Sequence, residues 1–159
     1  VTNLLRRVGV RAKIKTNTAL FDTYRVKAGE TPEIIAHKLY GDSELHWIVM
    51  LMNNVTDRYH DWPMNFSQFN AYLQEKYVDS DGNSTASDVH HYEIDQESGS
   101  TKTKIEVTDL TNYPNASTVT NFEYEQRRQD ELREIRLLDP EYVQDFVTEY
   151  KALMNESSI

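Results

Sequence analysis

One stretch of the sequence, from Tyr24 to Asn54, constrains the fold of this 159-residue chain more than any other. It begins with Tyr24 and Val26 in alternation with polar residues, which is typical of a half-buried β-strand. Gly29 then interrupts the alternation, so the chain is expected to turn there.

Two helices are predicted directly after this turn. Thr31 occupies the position of a helix N-cap, Pro32 suits the first helical position because its missing N–H costs nothing there, and Gly41 ends the helix. A second helix is predicted from Ser43 to about Met52, and its residues are so largely apolar that it must be nearly surrounded. The stretch therefore predicts a strand followed by two packed helices.

The middle of the chain predicts a short helix and a β-hairpin. Asn65 and Gln68 form a capping-box pair before a helix that carries Phe66, Phe69 and Leu73 on one face. After a polar loop over residues 78–87, two alternating segments around Tyr92-Ile94 and Ile105-Val107 flank turn-forming residues at 97–100, which predicts the hairpin.

The C-terminal part predicts two helices. Residues 121–138 are expected to form a charged helix with apolar positions Leu132, Ile135 and Leu138, and Asp139-Pro140 is expected to cap a second one. The second helix carries an apolar stripe at helical spacing: Val143, Phe146, Val147, Tyr150 and Met154. Two interpretations remain open: the stripe packs on the preceding helix of the same chain, or it binds a partner.

Composition excludes several classes of function. The formal net charge of −9 disfavours nucleic acid, because a phosphate backbone would be repelled. The absence of cysteine removes thiolate metal sites and cysteine nucleophiles. With no signal-peptide pattern and no apolar run of about 18 residues, we expect a soluble, unexported chain with no membrane partner.

No pattern of a catalytic or cofactor site is present in the sequence. The five histidines lack metal-binding spacing, and no nucleophile elbow, phosphate-binding loop or dinucleotide motif occurs. Asp79-Ser-Asp81-Gly82-Asn83 has some features of a calcium loop, but its glycine comes too early and the final glutamate is missing, so a turn is expected. We therefore predict no enzyme activity, no cofactor and no metal.

The N-terminal stretch resembles a LysM module. The residues that carry the resemblance are Tyr24-x-Val26, Gly29-Glu30-Thr31, Ile35-Ala36, Tyr40-Gly41, Trp47, Leu51 and Asn53. LysM modules have a βααβ fold and bind peptidoglycan or chitin, which implies a candidate groove at Gly29, Glu30, Thr31, Pro32, Asn53 and Asn54. The closing strand of a LysM module has no clear counterpart between Asn54 and Met64, where Trp62-Pro63 is the candidate substitute.

With its flanks, the chain resembles a baseplate wedge subunit of contractile-tailed bacteriophages. The similarity rests on Asp61-Trp62-Pro63, on a helix from Phe66 that ends in Glu75-Lys76-Tyr77, and on a C-terminal portion that runs from Arg136-Leu137-Leu138 through Tyr150-Lys151-Ala152-Leu153-Met154. The resemblance implies a structural role that joins neighbouring wedges in the virion, after assembly in the host cytoplasm, with other wedge proteins as partners.

The predicted chain is α+β, with an N-terminal arm (1–20), a LysM-like βααβ module and following helix (21–77), a linker with the central β-hairpin (78–120) and a C-terminal helical pair (121–159). The alternative function is that of a peptidoglycan-binding LysM module in a cell-wall-associated or lytic protein, although glycan binding is the less favoured interpretation. Exposed apolar residues suit an assembly role. The candidate partner interface comprises Leu4, Leu5, Val143, Phe146, Val147, Tyr150 and Met154.

Overall fold

The computed structural model describes residues 20–98 and 101–156, so the arm with Leu4 and Leu5 lies outside the described residues. The described chain forms two compact units. Unit 1 comprises residues 20–63 and 132–156, and unit 2 comprises residues 64–131. Helices and strands are mixed throughout, which confirms the α+β class.

The elements follow one another along the chain in this order: β1 (Phe21–Arg25), α1 (Pro32–Tyr40), a 3₁₀ turn (Ser43–Leu45), α2 (His46–Met52), α3 (Phe66–Lys76), β2 (Val89–Ser98), β3 (Thr101–Val107), β4 (Ser117–Thr120), α4 (Asn121–Arg133), β5 (Glu134–Leu138), a 3₁₀ turn (Pro140–Tyr142) and α5 (Val143–Glu156).

Helix α1 begins and ends as the sequence predicts. The Thr31 side chain accepts a hydrogen bond from the Ile34 amide, and Pro32 occupies the first turn. Gly41 has φ 75°, a left-handed conformation that glycine adopts at little cost, and its amide donates to the carbonyl of His37. These local signals fix the helix boundaries.

Strand β5 replaces the end of a predicted helix. The helix expected over residues 121–138 is wrong beyond Arg133, because residues 134–138 pair antiparallel with β1. Ile135 and Leu137 are buried while Glu134 and Arg136 are exposed, an alternation that only a strand provides. Pairing also satisfies backbone groups of β1 that a helix would leave without partners.

The core of unit 1 has two apolar clusters. The first joins α1, α2 and β5: Val26, Ile35, Ala36, Val49, Val55, Trp62, Ile135 and Leu137. The second joins α2, β5 and α5: Ile48, Met52, Leu138 and Val143. Trp62 is a core residue here, and the segment 53–63 contains no strand, so the expectation that Trp62-Pro63 closes the sheet is wrong. The strand that pairs with β1 comes from β5, far along the chain.

In unit 2, the predicted helix and hairpin are both present. Asn65 and Gln68 form the expected capping box of α3, and Phe69 and Leu73 are buried. Phe66 shares their helical spacing but is 78% exposed. Strands β2 and β3 pair with Ile94 opposite Ile105, which confirms the hairpin. Strand β4 was not predicted, and it adds to the other edge of β2.

Candidate partner-binding surfaces

The loop before α1 was predicted to form one wall of a binding groove. Gly29 has φ 80°, which permits the turn, and Pro32 is buried. The indole N–H of Trp62 donates to the backbone carbonyl of Glu30 at 2.8 Å. This hydrogen bond ties the loop to the segment that follows α2.

The Glu30 carboxylate also belongs to the interior of unit 1. Its side chain is almost fully buried and accepts hydrogen bonds from the Tyr24 hydroxyl (2.8 Å), the Lys27 amide (2.9 Å) and the Lys38 ammonium (2.5 Å). Burial by itself raises the pKa of Glu30, but these three donors outweigh it and hold the pKa below the ordinary 4.5. Glu30 is therefore an ionised group that organises the loop.

The Asn53 side chain, predicted on the opposite wall of the groove, hydrogen-bonds to the backbone of β5 as a neighbouring strand would. Its Nδ2 donates to the carbonyls of Val49 and Arg136, both at 2.8 Å, and its Oδ1 accepts from the Arg136 amide at 2.8 Å. One amide side chain thus pairs with both backbone groups of Arg136, in the middle of β5. Asn53 fastens β5 to the end of α2.

Asn54 completes the set of predicted groove residues. It has φ 56°, a conformation that asparagine tolerates better than most residues, and it is exposed. The next residue, Val55, is buried and its amide donates to the carbonyl of Met50. The structure therefore carries the predicted groove residues on two loops of unit 1, where Glu30 and Asn53 use their polar atoms for internal bonds.

The apolar stripe of α5 packs on α2 of its own unit. Val143 is 3% exposed and shares a cluster with Ile48. The Tyr150 ring lies 4.5 Å from the Trp47 ring, and the Phe146 ring lies 5.9 Å from it. The stripe thus packs on Trp47 and its neighbours in α2 and on Leu138, one of the three predicted positions, whereas Leu132 and Ile135 do not belong to this cluster.

The last turns of α5 are more open. Leu153 is 41% exposed and Met154 is 37% exposed. Val147 remains partly buried against the second cluster, as do Phe146 and the ring of Trp47. Of the predicted stripe, Met154 is therefore the most accessible member, and Leu153, which was not predicted, lies next to it.

Unit 2 contains two buried carboxylates that sequence reasoning missed. Glu125 is 1% exposed and accepts from the Lys76 ammonium at 2.6 Å and the Tyr77 hydroxyl at 2.9 Å. Glu125 thereby connects α4 to the end of α3. Burial alone raises the pKa of Glu125, but its bonds to Lys76 and Tyr77 lower the pKa overall.

Glu93 is the second buried carboxylate, and it lies in strand β2 of the unit 2 sheet. It accepts from Arg127 of α4 at 2.6 Å, from Lys104 of β3 at 3.1 Å and from the His91 ring at 3.1 Å. Burial raises its pKa, but the three donors lower the pKa to about 2. The only sequence signal was a glutamate inside an alternating strand, which does not distinguish a buried position from an exposed one.

Two aromatic side chains are far more exposed than is usual for large apolar groups. Tyr59, in the segment after α2, is 75% exposed, and Phe66, at the start of α3, is 78% exposed. Arg58 lies over the Tyr59 ring at 5.5 Å. Exposed aromatic residues with a neighbouring arginine are typical of protein-binding surfaces.

The described residues also bear on metal binding and on membrane insertion. Within residues 20–98 and 101–156, no group of three or more histidine, aspartate or glutamate side chains is arranged to hold a metal ion. Asp79 instead accepts hydrogen bonds from the amides of Asp81 and Asn83, which closes a turn. None of the helices in those residues is both long and apolar enough to cross a membrane.

These features define a class: a protein whose exposed aromatic side chains are suited to contact with other proteins. The comparisons with known proteins narrow this class. The chain belongs to the family described as base plate wedge protein 53, whose model matches residues 1–109. The family comprises structural proteins of the phage tail baseplate, which are components of the virion.

One relative is the baseplate wedge protein gp53 of Enterobacteria phage T4. It is 35% identical over 40 residues, which cover 25% of this chain and 20% of the T4 protein. The match thus spans about a fifth of the length of that relative. The family match ends before β4, so β5 and α5 lie beyond it.

Proposed function

We propose that this chain joins neighbouring wedges of a phage tail baseplate through contacts with other wedge proteins. The observation that carries the proposal is the family match over residues 1–109. The role is structural and involves no catalysis, and the protein reaches the virion after assembly in the host cytoplasm.

Two kinds of surface supply the contacts. Tyr59 of unit 1 and Phe66 of unit 2 are exposed and lie inside the matched range, so each by itself is a first candidate for a wedge contact. The α5 stripe is the second candidate, through Leu153, Met154 and the accessible edges of Phe146 and Tyr150. Large exposed aromatic side chains bury much area at little entropic cost, which favours a stable interface.

Unit 1 serves as a LysM-like scaffold that binds protein. The order β1, α1, α2, β5 with antiparallel strands is consistent with a βααβ module into which unit 2 has been inserted before the last strand. Glu30 and Asn53 already hydrogen-bond within unit 1, so their polar atoms are engaged where a sugar would need them. This supports a protein partner over a glycan.

The test is the mass of a reconstituted complex. The purified protein is mixed with candidate wedge subunits, and complex mass is measured by light scattering for the wild type and for Tyr59→Ser and Phe66→Ser. Both variants are expected to fold normally, because the replaced rings are exposed, and to lose at least about tenfold in affinity if the rings are interface hot spots. Tyr113→Ser, at a 42%-exposed tyrosine beyond the matched range, is the control.

An intact complex with both variants would refute these two contacts, and no complex with any wedge subunit would refute the proposed role. A second measurement addresses the glycan. Incubation with purified peptidoglycan, followed by sedimentation, is expected to leave the protein in the supernatant. Retention that Asn53→Ala abolishes, while circular dichroism shows the variant to be folded, would support the peptidoglycan-binding alternative.

A further inference from the structure

The segment that follows α2 carries the exposed Tyr59 on a loop whose two ends are fixed in the core of unit 1. Val55 lies at the start of this loop and Trp62 lies at its end, and both are buried members of the first apolar cluster. Residues 56–61, here named the Tyr59 loop, therefore project from unit 1 between two buried anchors.

The carboxylate of Asp61 closes the Tyr59 loop on itself. Its Oδ2 atom accepts hydrogen bonds from the Thr56 amide (2.9 Å), the Thr56 hydroxyl (2.9 Å) and the Asp57 amide (3.0 Å). The Asp61 amide donates in turn to the carbonyl of Asp57 at 2.8 Å. The amides of Asp57 and Thr56 hold the pKa of Asp61 below its ordinary value, so the carboxylate is ionised at neutral pH. One side chain thus connects the end of the loop to its beginning.

The carboxylate of Asp57 restrains the tip of the loop. Its Oδ1 atom accepts a hydrogen bond from the Tyr59 amide at 2.8 Å, and its Oδ2 atom forms a hydrogen bond with the His60 ring. The backbone of Tyr59 is therefore held by internal bonds, whereas its ring is 75% exposed. A side chain on a backbone that is already ordered loses little further entropy when it binds, which favours its use as an anchor in an interface.

Arg58 places a charged group beside the Tyr59 ring. The guanidinium carbon lies 5.5 Å from the ring centre, and Nη1 donates to the Glu33 carboxylate of α1 at 2.7 Å. The other guanidinium N–H groups of Arg58 have no acceptor among the described residues, and the side chain is 45% exposed. Arginine presents its donors in a planar fork that matches a carboxylate. The loop thus offers an aromatic ring and donors for an anion side by side.

We infer that the Tyr59 loop is a preorganised recognition element for a wedge protein whose binding site is an apolar pocket with a carboxylate at its rim. The Tyr59 ring enters the pocket and Arg58 donates to the carboxylate, in keeping with the frequency of tyrosine and arginine at interface hot spots. Asp61 is a positioning residue, which orders the loop without touching the partner. The inference rests on the proposed function and adds to it the chemistry of the partner's site.

The order of the loop is measured first, in the free protein. Because the chain has no cysteine, Tyr59→Cys accepts a single nitroxide label. Electron paramagnetic resonance spectra are recorded for the labelled protein with and without Asp61→Ala. The spectrum is expected to narrow with Asp61→Ala, because loss of the carboxylate frees the loop. Identical spectra would overturn the inference, whether or not a wedge protein binds.

Affinity is then measured by calorimetry against each purified wedge subunit. Asp61→Ala should weaken binding by about tenfold, because the order that the free loop has lost must be restored on binding. Asp61→Asn should recover most of the affinity, since its amide oxygen still accepts from the amides of Thr56 and Asp57. Asp79→Ala is the matched control and should leave affinity unchanged, because Asp79 also accepts two backbone amides in a surface turn, but in unit 2. Circular dichroism verifies that each variant is folded.

A double-mutant cycle separates positioning of the ring from a general structural effect. In a Tyr59→Ser background, Asp61→Ala should weaken binding by less than about twofold, since no ring remains to be positioned. Equal losses in the two backgrounds would show that Asp61 acts elsewhere and would overturn the inference.

Arg58→Gln tests the carboxylate at the rim of the pocket. It should weaken binding by about threefold at low salt, and by less at about 0.5 M salt, because screening weakens an exposed ion pair. Lys27→Gln, at another exposed position of unit 1, changes the net charge equally and should have no effect. Wild-type affinity for Arg58→Gln would overturn the assigned chemistry of the partner. If the wild type binds a wedge subunit and every loop variant binds equally well, the inference fails while the wedge role stands; if the wild type binds none, the wedge role itself fails.

Discussion

Replacement of Asn53 by alanine tests whether one amide side chain fastens β5 to α2. The change removes three hydrogen bonds, two of them to the backbone of Arg136. A typical hydrogen bond contributes about 0.5–1.5 kcal/mol net, and the bonds to Arg136 lie where water can replace them. We therefore expect Asn53→Ala to lower the free energy of unfolding of unit 1 by about 2 kcal/mol.

The assay can be confined to unit 1. The chain has two tryptophans, Trp47 and Trp62, and both belong to unit 1, so tryptophan fluorescence during urea unfolding reports that unit alone. This matters because a two-unit chain does not have to unfold in one step. Asn155→Ala, at an exposed position near the end of α5, is the control and should change the free energy by less than about 0.5 kcal/mol.

The reasoning would be refuted if Asn53→Ala and Asn155→Ala had the same stability. It would also be refuted if Asn53→Ala left the fluorescence midpoint unchanged while it altered binding to a partner. In that case Asn53 would belong to a binding groove, as the sequence pattern first indicated, and the hydrogen bonds to Arg136 would contribute nothing measurable.

Three further predictions concern pH, backbone conformation and aromatic packing. Because the pKa of Glu93 is about 2 in the folded state against 4.5 ordinarily, its stabilisation of unit 2 is complete above pH 4.5 and is lost as the pH falls towards 2. Its partly exposed partners limit the effect to about 2–3 kcal/mol, and Glu93→Gln should remove this pH dependence from urea unfolding followed by circular dichroism. Gly41→Ala should lower the free energy of unfolding of unit 1, measured by tryptophan fluorescence, by about 1 kcal/mol, because φ is 75° at this position. An added Cβ meets no atom within 4 Å, so the effect comes from the backbone conformation. Gly41→Asn should lower the free energy of unfolding by less. Tyr150→Ala should cost about 2 kcal/mol and shift the tryptophan emission, because the ring packs on Trp47, whereas Leu153→Ala should cost less than about 0.5 kcal/mol.

Each of these predictions has a result that contradicts it. An unchanged pH profile in Glu93→Gln would mean that the ion pairs with Arg127 and Lys104 do not lower the carboxylate pKa. Equal stability of Gly41→Ala and wild type would show that the left-handed conformation is not required at the end of α1. If Leu153→Ala were as destabilising as Tyr150→Ala, the last turn of α5 would be packed against unit 1 as firmly as the turn before it.

Much of the local structure could be predicted because its causes lie within a few residues. The Thr31 cap and the Gly41 terminator of α1, the capping box of Asn65 and Gln68, and the β2–β3 hairpin all depend on neighbours along the chain. The apolar character of α2 likewise predicted a helix surrounded by other elements, and Ile48 and Val49 are fully buried.

The candidate site was less predictable, because its side chains contact residues that are distant in the sequence. Asn53 has the ordinary signature of a residue that ends a helix, and nothing nearby indicates that Arg136 will be its partner. Phe66 fits the apolar face of α3 by spacing, yet it is exposed because only Phe69 and Leu73 have buried surroundings. Glu93 and Glu125 are two of many acidic residues, and burial alone distinguishes them.

The sequence by itself therefore determined the capped helices, the hairpin, the α+β class and the resemblance that the family match bears out, because propensity, capping and alternation act over short distances. Only the tertiary structure decided that residues 134–138 form a strand. Their apolar spacing fits a helix as well, but β1 needs a hydrogen-bonding partner and the core accepts Ile135 and Leu137 on one side of that strand. Contacts with elements far along the chain likewise place Asn53 against β5 and the α5 stripe against Trp47. Polar groups find these hydrogen-bond partners, and apolar surface is buried, only in the complete fold.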